Sequence, residues 1–164
     1  VCVDIYFTCP HLRKVRGLGD GPKWTCDVER LTRVVERRRQ ARLSGATLDS
    51  SSSSSSSGSG SSSDCLIYSI GSNGNYRWED GLLKALGPIC EIHIFDPGNY
   101  DRPGQAVGKN MHYHPWGLTS SYAKKGQAPK RQRWNLHSFQ EIQQKLGHEN
   151  RSLDVLKIDC EECE

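Results

Sequence analysis

The sequence lacks long apolar runs and is poor in apolar residues generally. No stretch of about 18 consecutive apolar residues occurs, so the sequence predicts no transmembrane helix in this chain. Apolar residues make up 35% of its 164 positions, below the ~45–50% of ordinary globular proteins, a range that also counts glycine. Part of this deficit is local, because residues 50–63 consist only of serine and glycine. The remaining residues can bury one modest core.

An excess of charge of one sign is also missing. The formal net charge is only +3, which by itself indicates neither a nucleic-acid partner nor a membrane surface. Two basic stretches stand out, residues 37–39 and residues 124–134, and Trp134 in the second could stack on a base. Solvated charge is the favoured interpretation, because Glu29 and Glu36 balance the first stretch and loop-forming residues interrupt the second.

Cysteine, in contrast, is abundant, with seven residues in the chain. Cys2, Cys9 and Cys26 lie in segments rich in glycine and proline, where disulfides would suit a secreted protein. Cys65 and Cys90 adjoin apolar runs, where we expect buried free thiols. No signal peptide is visible and the chain does not begin with methionine, so the sequence leaves the localisation undecided.

A metal site is an alternative that the sequence raises but does not favour. Cys160 and Cys163 have ligand-like spacing, and His112 and His114 alternate along one predicted strand. Structural zinc sites usually combine two such cysteine pairs, and the sequence has no second Cys-x-x-Cys. We therefore predict packed thiols and strand histidines, with no metal ligands.

The composition divides the chain into three regions. Residues 1–43 are predicted to form an irregular segment followed by a helix that begins after Asp27. Residues 44–64 are predicted to be a flexible, serine-rich linker or insertion. Residues 65–164 contain the signals of an ordered domain.

Short strands and helices alternate in this last region, in the order β-α-β-β-α-β. The predicted strands are residues 66–70, 91–95, 111–114 and 153–158, and the predicted helices are residues 78–86 and 138–146. This order predicts an α/β fold with a mostly parallel sheet and helices on its faces. Ligands in such folds bind beyond the carboxyl ends of the strands.

Unusual residues follow three of the predicted strands. Gly71-Ser72-Asn73-Gly74 comes after the first, where glycine permits close approach of a ligand and the next helix offers free N–H groups. Taken alone, this turn is better explained as a tight connection. Asp96 ends the second strand, 25 positions after Gly71, and an acidic residue ~20 residues after the glycine turn is the usual ligand of a ribose diol. The two features together favour a nucleoside ligand.

The fourth predicted strand ends in an acidic cluster. Asp159, Glu161, Glu162 and Glu164 bring four carboxylates to this end of the sheet. Such charge suits an ammonium, a sulfonium or a metal ion. It would also suit the first turn of a following helix, because carboxylates interact favourably with the helix dipole.

Four segments in this order resemble the S-adenosylmethionine-dependent methyltransferases of the FkbM-like class. They read "CLIYSIGSNGNYRWEDGLL", "CEIHIFDPG", "HYHPWGL" and "LDVLKIDCEECE". The segment "GDGPKWTCD" resembles the stretch before the domain in those proteins, so the resemblance covers residues 17–43 and 65–164. It implies a Rossmann-like three-layer sandwich. A complete sheet of that class has more strands than the four predicted here, which implies truncation after the fourth strand, with residues 65–164 as the amino-terminal half of the domain.

The resemblance also implies roles for individual residues. The loop residues Gly71, Ser72, Asn73 and Gly74 would surround the methionine part of S-adenosylmethionine, and Asp96 would bind its ribose. Trp116 and Gly117 would lie toward the adenine. Asp159 and Glu161 would line the methyl-transfer pocket as catalytic residues. A hydroxyl acceptor would need a base, for which Asp159, Glu161 and His114 are candidates.

The sequence departs from this class at two positions. Glu162 replaces the usual glycine, and Ser69 stands where many methyltransferases have an acidic residue. A non-catalytic interaction protein with a degenerate methyltransferase fold is the main alternative, mainly because of Glu162 and the implied truncation. A nicotinamide-dependent oxidoreductase is a weaker one, because no Gly-x-Gly-x-x-Gly pattern is present. The methyl acceptor, a small molecule or a protein, is not identified.

Overall fold

The fold of the chain is given by a computed structural model. It describes residues 9, 11–15, 23–44, 65–87, 89–98, 100, 110–119 and 134–160. The predicted linker beyond residue 44, the predicted loop at residues 124–133 and the catalytic candidate Glu161 lie outside these ranges.

Eight strands and three helices occur in the described residues. In chain order they are β1 Leu12–Lys14, β2 Trp24–Cys26, α1 Val28–Leu43, β3 Cys65–Ile70, α2 Arg77–Leu86, β4 Cys90–Phe95, β5 Met111–His114, β6 Gly117–Leu118, β7 Leu136–His137, α3 Phe139–Leu146 and β8 Val155–Ile158. Asp27, after which the first helix was predicted to begin, caps α1 by accepting a hydrogen bond from the Arg30 N–H. Ser138 caps α3 and forms a capping box with Glu141. Each of the three helices is too short or too polar to cross a membrane.

The central sheet has four strands in the order β5-β4-β3-β8, and every pair in it is parallel. The four strands correspond to those predicted from the sequence, so the predicted α/β, Rossmann-like fold with a mostly parallel sheet is confirmed. The two short strands β6 and β7, which also pair in parallel, were not predicted.

Strand β3 is buried along its whole length because helices cover both faces of the sheet. Alternate side chains of a strand point to opposite faces. Ile67 belongs to the cluster that contains α1 and α2 side chains, and Tyr68 belongs to the cluster around Ile142 of α3. The molecule therefore has three layers, with α1 and α2 on one side of the sheet and α3 on the other.

The N-terminal segment is more ordered than the predicted irregular stretch. Strands β1 and β2 form an antiparallel ribbon, and a disulfide joins Cys9 to Cys26 at its end. The ribbon is held against the domain by Trp78 of α2, whose indole N–H donates to the Thr25 hydroxyl at 2.9 Å. The prediction missed the ribbon because each strand has only three residues, too few to show a periodic pattern.

The prediction of free thiols at Cys65 and Cys90 is wrong, because these residues form a disulfide. They begin β3 and β4, and the parallel register places them directly opposite each other with Cα atoms 4.5 Å apart. Cysteines at the first positions of two paired strands lie close enough to form a disulfide. The composition of the chain does not reveal this pairing. Cys160 is disulfide-bonded as well, which removes it from the considered Cys160–Cys163 metal pair.

Removing the inter-strand disulfide should destabilise the fold. We expect the double variant Cys65→Ala/Cys90→Ala to lose about 3 kcal/mol of unfolding free energy, because the bond closes a loop of 25 residues in the unfolded chain. Urea unfolding of both proteins without reductant measures the difference. Adding reductant should then destabilise the wild-type chain more than the variant. Equal stability of the two oxidised proteins would contradict the expectation.

Candidate functional site

The carboxyl ends of β3, β4 and β8 meet at one edge of the sheet and enclose a cavity of about 290 Å³. This volume lies just below the ~300–1,000 Å³ found for small-molecule sites. The lining comprises Ile70, Gly71 and Asn73 after β3, Phe95, Asp96, Pro97, Gly98 and Tyr100 after β4, Gly117, Leu118, Trp134 and Leu136 around β6 and β7, and Asp159 and Cys160 after β8. The residues predicted after three separate strands therefore surround one space.

The loop Gly71–Gly74 has a backbone that most residues would not adopt. Gly71, Asn73 and Gly74 have φ angles of +78°, +47° and +71°, in the region that favours glycine and tolerates asparagine. At Gly71 there is also no room for a side chain, since an added Cβ would lie 2.2 Å from the carbonyl oxygen of Asp159. The loop is therefore pressed against the end of β8.

The carboxylate of Asp96 fixes the conformation of this loop. Its Oδ2 accepts hydrogen bonds from the backbone N–H groups of Ser72 at 2.9 Å and Asn73 at 2.8 Å. Its Oδ1 accepts one from the N–H of Gly98 at 3.0 Å. Asp96 is only 8% exposed, so these contacts replace much of its hydration. The two features that the sequence analysis linked through a ligand are thus also linked directly.

Tyr100 is a cavity residue that the sequence analysis missed. Its hydroxyl donates to the Asn73 side-chain carbonyl at 2.6 Å, and its ring lies beside Gly74 and Gly98. A Cβ on Gly98 would come within 2.1 Å of this ring. The glycine two positions before Tyr100 is the one sequence signal that could have suggested a packed ring here.

Asp159 lies where β8 ends, and its backbone N–H donates to the Ile70 carbonyl at 2.9 Å. Its side chain is 44% exposed and forms an ion pair with Lys23, at 2.7 Å between Nζ and Oδ2. The negative charge expected from the acidic cluster is thus partly neutralised at this residue. Lys23 belongs to the N-terminal segment, so that segment reaches the candidate site.

A buried polar network of Lys157, Ser69 and Glu79 contacts the Gly71–Gly74 loop. The Lys157 ammonium donates to the Gly71 carbonyl at 2.9 Å and to the Ser69 hydroxyl at 3.2 Å, and lies 3.4 Å from Oε1 of Glu79. Ser69 in turn donates to the same Glu79 oxygen at 2.5 Å. The serine that departs from the methyltransferase pattern is therefore in contact with a buried carboxylate from α2. A lysine within the apolar strand "VLKI" is the signal that could have identified this network.

The two residues predicted near the adenine have different positions. Gly117 lines the cavity, opposite the side chain of Leu136. Trp116 is absent from the described lining and packs against the rings of His114 and His137, with centroids 4.7 Å and 5.2 Å away. Phe95, whose ring stacks with Trp116, does line the cavity. Trp116 thus supports the wall through Phe95.

Comparison with known proteins provides one match. A family model described as a methyltransferase domain matches residues 3–164. No curated protein and no solved structure shows a significant match. The family match includes the N-terminal ribbon and α1 together with the central sheet.

Proposed function

We propose that the chain, which belongs to this family of methyltransferase domains, transfers the methyl group of S-adenosylmethionine to a small-molecule or protein acceptor. We further propose, from the resemblance of the segments around the glycine loop and the strand ends, that the chain is related to the FkbM-like class and to methyltransferase-like protein 24 and its relatives. We further propose that residues 65–164 belong to this methyltransferase domain. Residues 28–43 contribute to it, since Val28 and Val35 of α1 pack into the same core as α2.

The observation that carries this proposal is the direct contact between Asp96 and the glycine loop at the cavity. A nucleoside joined to an amino acid needs an acidic group for the ribose and an open backbone for the amino-acid end. In this site the two are held together by Asp96 itself. A carboxylate offers about four acceptor positions, and the three contacts described above leave room for a ribose hydroxyl.

The walls of the cavity fit the remaining parts of this cofactor. Phe95, Leu136 and Gly117 form an apolar side on which a flat purine would pack. Asn73 and Tyr100 offer polar atoms on the side of the glycine loop. A side chain at Gly71 would collide with the backbone of Asp159, so the glycine keeps the loop close to β8. When bound, S-adenosylmethionine supplies a methyl group that is already activated on a positive sulfonium.

Given such a donor, the chain mainly has to align the acceptor and exclude water. We propose that Asp159, with Glu161, lies beside the sulfonium and that Lys23 holds the Asp159 carboxylate in place.

His114 is a poorer candidate for the base. It lies outside the described cavity lining, its Nε2 bonds to Nδ1 of His93 at 2.9 Å, and burial lowers its pKa to about 4. At pH 7 its imidazole is therefore neutral and engaged elsewhere.

Replacing Asp96 tests the proposed cofactor site. Loss of its charge-assisted hydrogen bonds, each worth about 1.5–3 kcal/mol, should weaken S-adenosylmethionine binding by Asp96→Ala at least about tenfold. Calorimetric titration of the complete chain with S-adenosylmethionine, and separately with NAD, measures both affinities. Asp96→Asn keeps an oxygen for the loop N–H groups and covers the case in which Asp96→Ala does not fold. Asp80→Ala, on the first turn of α2, is the matched control.

Two results would reject the proposal. Binding of NAD in place of S-adenosylmethionine would indicate an oxidoreductase. Unchanged affinity for S-adenosylmethionine in both Asp96 variants would remove the assignment of Asp96 to the cofactor. The Asp80→Ala variant should bind like the wild-type chain, since the Asp80 side chain is not part of the described cavity wall.

A further inference from the structure

A second cluster of polar side chains lies away from the cavity, toward the amino-terminal ends of β4 and β5. Glu91 and His93 are two residues apart on β4 and therefore point to the same face of the sheet. His93 is directly opposite His112 in the parallel register of β4 and β5. The three side chains converge because of this register, on the face that α3 covers.

The three side chains offer ligand atoms at close range. Oε1 of Glu91 lies 2.9 Å from Nε2 of His93 and 3.6 Å from Nε2 of His112. All three ligand atoms lie within 4.8 Å of one another. Ligands that bind zinc tetrahedrally at ~2.0–2.2 Å are separated from each other by about 3.3–3.6 Å. Small rotations of the side chains would therefore bring all three atoms to bonding distance of one ion.

We propose that Glu91, His93 and His112 bind a divalent transition-metal ion, with zinc as the expected occupant. Two imidazole nitrogens and one carboxylate oxygen form a donor set typical of zinc and related metals, and unlike the all-oxygen set preferred by magnesium or calcium. The side chain of His112 is 45% exposed, whereas those of His93 and Glu91 are largely buried. An ion therefore has an entry path past His112, and water can complete its coordination.

The surrounding residues would orient these ligands. Nδ1 of His93 lies 2.9 Å from Nε2 of His114. When Nε2 of His93 binds a metal, the proton of this ring resides on Nδ1 and is donated to His114, which fixes the ring orientation. Arg151 donates to Oε2 of Glu91 at 2.9 Å, and this contact directs the other oxygen toward the histidines.

The cluster of Glu91, His93 and His112 contains more ligand atoms than the ion pair between Glu91 and Arg151 needs. Arg151 already neutralises Glu91, and that pair needs neither histidine. Nε2 of His93 is hydrogen-bonded to Oε1 of Glu91 at 2.9 Å. Nε2 of His112 lies 3.6 Å from the same oxygen, beyond hydrogen-bond distance. A metal ion between these three atoms accounts for this geometry.

Such an ion would stabilise the fold and would not take part in methyl transfer. His93 is three residues before Asp96, which directly follows β4, and this separation corresponds to about 10 Å along the chain. The ion would instead cross-link β4 to β5 beside the contact between Glu91 and Arg151. Its expected effect is a higher unfolding temperature of the chain, because a ligand that binds only the folded state stabilises it.

The test is a comparison of two histidine variants of the complete, oxidised chain. We expect the wild-type protein and His11→Ala to bind one Zn²⁺ ion in equilibrium dialysis and to unfold at a higher temperature when Zn²⁺ is present. His112→Ala should bind Zn²⁺ at least about tenfold more weakly and lose most of this shift in unfolding temperature. Loss of an outer-sphere partner alone lowers metal affinity about 10–100-fold, and loss of a direct ligand should lower it at least as much. His11 is exposed and far from the cluster in sequence, and serves as the matched control.

Cobalt gives an independent measure of the ligand set. The visible absorption of Co²⁺ bound to the wild-type chain should change in His112→Ala and stay the same in His11→Ala. The proposal is overturned if the wild-type chain does not bind Zn²⁺, or if His112→Ala binds it as tightly as the control. If His112→Ala does not fold, His112→Gln is compared with His11→Ala in its place, because glutamine keeps more of the volume of histidine than alanine does.

Discussion

Replacing Gly71 by alanine should lower the free energy of unfolding by about 2–6 kcal/mol and abolish the proposed binding of S-adenosylmethionine at the cavity. Strain from the positive φ of +78° contributes about 1–3 kcal/mol. The rest, about 1–3 kcal/mol, comes from overpacking, because the new Cβ would lie 2.2 Å from the Asp159 carbonyl oxygen and 2.7 Å from its carbon. These atoms belong to the backbone after β8 and cannot rotate away. Urea unfolding and titration with S-adenosylmethionine measure the two effects.

Gly147 provides a control that separates strain from collision. It also has a positive φ, +67°, but an added Cβ there would meet no described atom within 4 Å. Gly147→Ala should therefore cost only about 1–2 kcal/mol and leave binding unchanged. Equal losses in the two variants would show that the contact between Gly71 and β8 contributes nothing beyond the strain of the backbone.

Replacing Lys157 by methionine should cost about 3–5 kcal/mol of unfolding free energy, since it leaves the carboxylate of Glu79 buried without its cation. Glu79 is fully buried, and Oε2 has no hydrogen-bond partner among the described residues. The substitution also removes the donor to the carbonyl of Gly71. Methionine keeps most of the apolar length of lysine, so the effect reports on the ammonium group. Chemical unfolding at neutral pH measures it.

A double-variant cycle tests this explanation. Adding Glu79→Gln to Lys157→Met removes the uncompensated charge and should restore part of the lost stability. Lys84→Met, an exposed lysine on α2, should change stability by less than about 0.5 kcal/mol. If the effects of Lys157→Met and Glu79→Gln simply add, the two side chains are not coupled and the proposed network is wrong.

The parallel sheet could be predicted from the sequence because strands and helices alternate along the chain. The alternation of strands and helices predicts a parallel sheet, and parallel strands bring residues that follow them to one edge. Gly71, Asp96 and Asp159 each come directly after a predicted strand and all line the cavity. Their convergence therefore required only the correct assignment of strands and no knowledge of side-chain contacts.

What could not be predicted depends on register and on packing at a distance. The disulfide between Cys65 and Cys90 and the cluster of Glu91, His93 and His112 both arise from which residue lies opposite which on a neighbouring strand. A pattern within one strand does not contain this information. Along the sequence His112 pairs with His114 on the same strand, whereas in the structure its Nε2 lies 3.6 Å from Oε1 of Glu91 on β4.

The disulfide between Cys65 and Cys90 also has a topological consequence. It closes a covalent ring that contains β3, the Gly71–Gly74 loop and α2, and Asp96 follows shortly after the ring closes. A single proteolytic cut anywhere in this ring would not separate β3 from β4, two of the strands whose ends enclose the cavity. The cleaved protein would migrate as one species until a reductant is added. The continuity of the site thus depends on a sulfur bridge as well as on the peptide chain.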